Sequence, residues 1–215
     1  MTEARPRRSA LAWAIPAGLV VVAAIVAAVV VTQDPGQAPA PAPTTTTAPE
    51  PEAVEISSDA PSFTSLDQLV EASDLIVRGR VTDTERGRWF GDGSTSSRIQ
   101  SRLVTLDVEE VIAGNVPSGE LGSLLLEEEG WLEDGAPLVV DGAAPSAVGD
   151  EGIWFLVDPG DDTTDALIVV NAQGRYLLDG DHVTGAEGGD ALVTDLTGGS
   201  LDGLAGRIRT AASRP

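Results

Sequence analysis

The chain has 215 residues, and its 34 acidic side chains against 13 basic ones give a formal net charge of −21. All 13 basic residues are arginine, cysteine and lysine are missing, and His182 is the only histidine. Those gaps exclude a lipid anchor on cysteine, an iron–sulfur site, a thiol nucleophile and Schiff-base, Ser–Lys or P-loop chemistry. From Phe63 onward 28 acids face 10 arginines, a net of −18, and such a field repels nucleic acid and anionic head groups.

The first predicted element is a membrane span. Arg5, Arg7 and Arg8 precede an apolar run from Leu11 to Val31, and these 21 residues make about 31 Å of helix, enough for a ~30 Å hydrocarbon core. Trp13 suits the head-group boundary, and Pro16 falls in the first turns, where a lost amide bond costs least. The arginine cluster predicts a cytoplasmic N-terminus over residues 1–10 and an extracytoplasmic remainder. A cleaved signal peptide is the rival reading. Its apolar region is normally shorter, and here Ala38, Ala40 and Ala42 each precede a proline that blocks cleavage. A cut after Ala28 stays open.

Residues 32–62 read as a stalk. The Ala-Pro repeat and the run Thr44–Thr47 favour extended polyproline II and form no core.

The expected folded domain covers 63–215. Ser65 and Gln68 have capping-box spacing ahead of a short helix carrying Leu66, Leu69 and Val70. Strands are predicted at Leu75–Val81, Ile99–Ile112, Leu121–Glu127, Leu138–Val140, Gly152–Val157, Ala166–Asn171 and Arg175–Leu178, with a weaker one at Ala191–Val193. Turn residues separate them, as at Gly114-Asn115, Asp141-Gly142, Asp158-Pro159-Gly160 and Gly180. Ser200 caps a last helix carrying Leu201, Leu204 and Ile208. The fold class expected is mainly β, a small antiparallel barrel or sandwich of OB-like form with a short N-terminal and a C-terminal helix.

The runs Ala72–Val81, Val108–Gly114 and Val148–Val157 resemble a group of uncharacterised bacterial envelope domains with a "DLIVxGxV" opening strand and a later "Gly-Asp/Glu…FL" strand. Their order is also similar to that of netrin and tissue-inhibitor-of-metalloprotease modules, which are OB-fold barrels. The resemblance covers residues 65–180. It implies an extracellular binding role, and without cysteines to tether an inhibitory N-terminus it does not imply protease inhibition.

Catalytic groups are sparse. His182 follows Asp181 in a turn with no G-x-S-x-G elbow in the chain, and a zinc site would need three carboxylates beside it. Glu127-Glu128-Glu129 could supply paired carboxylates for a hydrolase, but a charged end that protects an edge strand explains them more simply. Calcium is a further candidate, with Asp158, Asp161, Asp162 and Asp165 on one turn-rich stretch that departs from the EF-hand spacing. A contact surface is expected on a loop over Thr84–Ser97, where Arg86, Arg88, Trp89 and Phe90 combine the residue types enriched at binding hot spots. The alternative there is that Trp89 and Phe90 cover one end of the barrel. Trp131 and Trp154 are expected in or at the edge of the core. The leading expectation is a membrane-tethered, non-enzymatic binding module for an envelope protein or a glycan; the alternative is a carboxylate hydrolase.

Overall fold

The computed structural model describes residues 51–91, 98–116, 122–187 and 190–214. The predicted span 11–31 and most of the predicted stalk lie outside them. Among the described residues no helix is long and apolar enough to cross a membrane.

In chain order the elements are β1 (Val54–Ile56), α1 (Leu66–Glu71), β2 (Leu75–Phe90), β3 (Ile99–Gly114), β4 (Ser123–Leu132), β5 (Leu138–Val140), β6 (Glu151–Val157), β7 (Ile168–Val169), a 3-10 turn at Ala172–Gly174, β8 (Arg175–Asp179), β9 (His182–Thr184), α2 (Ala191–Leu196) and α3 (Leu201–Ala212). Six strands form one antiparallel sheet in the order β4-β3-β2-β6-β8-β9, with β7 joined to β6. β1 and β5 make a separate parallel pair. The mainly β expectation holds, as a curled half-barrel sheet with a few short helices.

Alternation along the strands gives the sheet two buried faces. Val77, Val81, Val104, Leu106, Leu126 and Trp154 fill the concave side. Ile76, Ile153, Phe155 and Tyr176 turn the other way and pack beneath Leu69 of α1, Leu192 and Leu196 of α2, and Leu204 and Ile208 of α3. This period-two split puts consecutive apolar residues such as Ile153–Leu156 into opposite cores, so a continuous hydrophobic run is still a strand. The edge strand β4 is bridged by Leu167: its N–H donates to Leu125 O and its O accepts from Glu127 N, at 2.9 and 2.8 Å.

The predicted caps are in place. Ser65 Oγ accepts from Gln68 N at 3.3 Å, and Gln68 Oε1 returns the bond to Thr64 N at 2.9 Å, one residue earlier than a standard capping box. Ser200 Oγ accepts from Gly203 N at 3.2 Å and starts α3.

Three local expectations change. Ala191–Leu196 is helical, because the Asp190 carboxylate caps the amides of Leu192 and Val193, and the spacing of Leu192, Val193 and Leu196 suits one helix face. Strand β2 continues to Phe90 through the stretch expected as a loop, since long-range pairing with β3 overrides a polar local sequence. Order also reaches back into residues expected as stalk: β1 pairs with β5, and Ser58 Oγ donates to Asp141 Oδ2 at 2.5 Å.

Candidate functional site

The far end of β2 carries the four residues singled out by sequence, and one β-bulge sorts them. Arg86 stands opposite Arg102 and Trp89 opposite Gln100, so Gly87 and Arg88 together face Ser101. Ser101 Oγ donates to Arg88 O at 3.2 Å, and Gln100 Nε2 donates to Gly87 O at 3.1 Å. A side chain at Gly87 would collide with Ser101 Oγ, which accounts for glycine there. The extra residue flips the alternation. Arg88 and Phe90 then turn one way, Arg86 and Trp89 the other.

On the first side, the Arg88 guanidinium grips Glu127 of β4, with Nε 3.0 Å from Oε1 and Nη2 2.8 Å from Oε2. It also donates to Thr163 Oγ1 at 2.6 Å, pairs with Asp161 at 2.7 Å and lies over the Phe90 ring, 4.9 Å from its centroid. Glu127 first, then Asp161, raise the Arg88 pKa by hydrogen bonding. Asp161 is held down to about 2, chiefly by the Thr163 hydroxyl and amide and then by Arg88. On the second side Arg86 and Arg102 lie 4.5 and 4.2 Å from the Trp131 ring centroid, and Arg98 lies 5.0 Å from that of Trp89. Burial lowers the pKa of Arg102.

Beside Arg88 a cleft of about 410 Å³ opens between Glu127–Glu129 of β4 and residues 168–172. Its walls are largely apolar, with Leu138, Val140, Pro145 and Val170 among them, while Arg88 and Arg175 together with Glu127, Glu128 and Glu129 supply the charges. Arg175 donates to Ser146 Oγ at 2.7 Å, to Glu128 Oε1 at 3.3 Å and to Ala144 O. Ser146 closes the circuit by donating to Glu128 Oε1 at 2.6 Å.

The three glutamates are therefore not an exposed charged end. Glu127 is 6% exposed and the Glu128 side chain 11%, each fastened by an arginine distant in sequence. The segment around Leu167 covers the edge they were expected to protect. Glu129 alone is exposed, and among the described residues it has no ion-pair partner.

Of the predicted contact residues, Arg88 and Phe90 line the cleft, and Arg86 and Trp89 do not. Trp89 and Phe90 are 39% and 37% exposed, so neither caps a core. Trp154 is fully buried, as expected. The four aspartates proposed for calcium do not converge: among the described residues no group of three or more metal-ligating side chains is assembled. Asp161 is committed to Arg88 and Thr163, Asp158 accepts from Gly160 N within its own turn, and Asp162 and Asp165 are exposed. His182 sits exposed on β9, paired with Asp179.

Sequence reasoning missed Arg175, its hold on Glu128 and the cleft itself. An isolated arginine opening a strand (Arg175) beside a distant glutamate run was the available signal, and its meaning depends on tertiary pairing.

Scanned against protein-family models, the chain matches none, and no curated protein matches it.

Proposed function

We propose that the chain is a membrane-tethered, extracytoplasmic, non-enzymatic binding module with an OB-like domain, and that the cleft beside Arg88 is where its ligand sits. The cleft carries this reading. A preformed, mostly apolar concavity of about 410 Å³ with a few oriented charges has the size and chemistry of a ligand site. Its charged groups are rigid, since Arg88 and Arg175 are each held by two or more oxygens. The OB-like assignment is supported by the curl of the sheet and by the Leu126–Leu167 bridge, which ties edge strand β4 back toward β6. Tethering is supported by the arginine-flanked apolar run 11–31.

The hydrolase alternative is weaker. Glu127 and Glu128 are both spent on arginine, so neither is available as a general acid or as a base for an attacking water.

The test is proximity labelling in native membranes with the label at the C-terminus, comparing wild type with Ala144→Trp. Ala144 is an exposed residue on the cleft wall, so tryptophan there fills the cleft and spares the core. A reproducible envelope partner lost in the variant supports the module. Labelling identical in both proteins removes the cleft from the function.

A further inference from the structure

The second side of the β2 end holds a charge imbalance that the cleft does not explain. Of the ten arginines from Phe63 on, seven pair with a carboxylate. Arg86, Arg98 and Arg102 pair with none among the described residues, although the same stretch carries 28 acids. All three lie at this one end of the sheet and over an indole, Arg86 and Arg102 over Trp131 and Arg98 over Trp89. An indole is a hydrogen-bond donor and not an acceptor, so this contact steadies a guanidinium without using its five N–H groups. Arg86 spends one of them on Gln100 Oε1 at 2.8 Å, and Gln100 is itself fixed by donating to Gly87 O. Arg102 spends one on Ser146 O at 3.2 Å, and its Nε is buried without an acceptor among the described residues. Glu128, opposite Arg102 on β4, is taken up by Arg175 and Ser146. Burial is the main cause that lowers the Arg102 pKa; Glu128 favours its charge, and Arg175 and Arg86 oppose it.

We infer that Arg86 and Arg102, braced on Trp131, form a binding site for a single oxyanion: a carboxylate, phosphate or sulfate group of a ligand, held by both guanidinium groups. The inference stands apart from the cleft. Arg86 and Arg102 are direct partners across β2 and β3, and side chains so paired are close enough to reach one small group. Like charges placed opposite each other destabilise a sheet, and an oxyanion between them turns that repulsion into two attractions. The planar fork of a guanidinium matches the oxygens of a carboxylate or phosphate, and such charge-assisted bonds are about twice as strong as neutral ones. The acidic domain around the pair does not cancel this attraction, because charges farther off than ~8 Å are screened at physiological salt while contacts are not. That same field repels a polyanion such as nucleic acid, so the site suits one isolated oxyanion.

The experiment follows the arginine Nε–Hε NMR signals of the full chain in neutral detergent micelles while acetate, inorganic phosphate or sulfate is added at constant ionic strength. The signals of Arg86 and Arg102 should shift saturably with at least one of the three anions. Those of Arg209, an exposed arginine paired with Glu110, should stay in place. Arg86 is exposed, so Arg86→Gln spares the core, and it should weaken binding at least ~10-fold. Arg86→Lys keeps the charge but loses the fork, and should fall between the two. Tightest binding of acetate assigns the site to a carboxylate, and tightest binding of phosphate or sulfate to a phosphorylated or sulfated ligand; either supports it. Shifts that grow without saturating, that appear equally at Arg209, or that survive Arg86→Gln unchanged overturn the site. Ala144→Trp tests the cleft and Arg86→Gln this site, so the failure of one is told apart from the failure of the other.

Discussion

Gly79 and Gly152 face each other across β2 and β6, and each lies hard against the backbone of a further strand. A Cβ on Gly79 would run into the carbonyl of Asp107 in β3, and one on Gly152 into the carbonyl of Tyr176 in β8. Four strands thus converge on two residues without side chains, and the close approach lets one sheet wrap the concave core around Trp154. Both glycines lie inside the two sequence runs that resemble envelope-domain strands, which gives the "IVRGR" and "GDEGIWFLV" patterns a backbone reason.

Gly152→Ala should therefore destabilise the domain by about 2 kcal/mol, an overpacking cost at a site bounded by backbone that cannot step aside. Urea unfolding followed by circular dichroism measures it. A change within about 0.5 kcal/mol would show that the strands have slack there and that the glycine pair does not set the curl.

Arg175 offers a second test. It is 9% exposed, and Arg175→Met leaves Glu128 buried without its cation. A loss of about 3 kcal/mol is expected from a stranded buried charge. Adding Glu128→Leu should recover much of that loss, because an apolar pair of similar size is tolerated where a lone charge is not. If the double variant is no better than the single one, the arginine acts through packing rather than through Glu128.

The two exposed aromatics at the end of β2 should behave unlike the buried one. Trp89→Ala and Phe90→Ala each leave more than a third of a side chain's worth of surface already in water, and the expected cost is under about 1 kcal/mol. Trp154→Ala empties the concave core and should cost about 4 kcal/mol. Thermal melts of the three variants separate the cases. Equal losses would place Trp89 and Phe90 in the core after all.

What the sequence disclosed follows from the range of the physics involved. Ser65 and Ser200 announce their helices because a cap is settled within four residues. The strands from Leu75, Ile99 and Gly152 were readable because apolar alternation or an apolar run between turns is local too. The end of β2 was not, since Glu85–Phe90 is polar and glycine-containing, and only its ladder with β3 makes it a strand. Nor could the bulge at Gly87 and Arg88 be read, so the four contact residues appeared as one group when they are two. The arginine grips on Glu127 and Glu128 join residues 39 and 47 positions apart, and β1, three residues long, has no pattern apart from its pairing with β5.

The turn that holds Arg88 from outside carries its own pH signature. Asp161 is held down to about 2 from an ordinary 3.8, first by the Thr163 side-chain and backbone donors and then by Arg88. A carboxyl depressed in the native state favours folding when ionised. Its contribution is complete above its ordinary value of 3.8, declines as the pH falls, and is gone below about 2. The Cγ carbon resonance of Asp161 should accordingly titrate with a midpoint near 2. Thr163→Val removes the hydroxyl and keeps the amide, so the midpoint should move upward while staying below 3.8, held by the remaining amide bond and by Arg88. Arg88→Gln should move it upward as well. A midpoint indifferent to Thr163→Val but responsive to Arg88→Gln would make the ion pair, not the turn, the anchor of this side of the cleft.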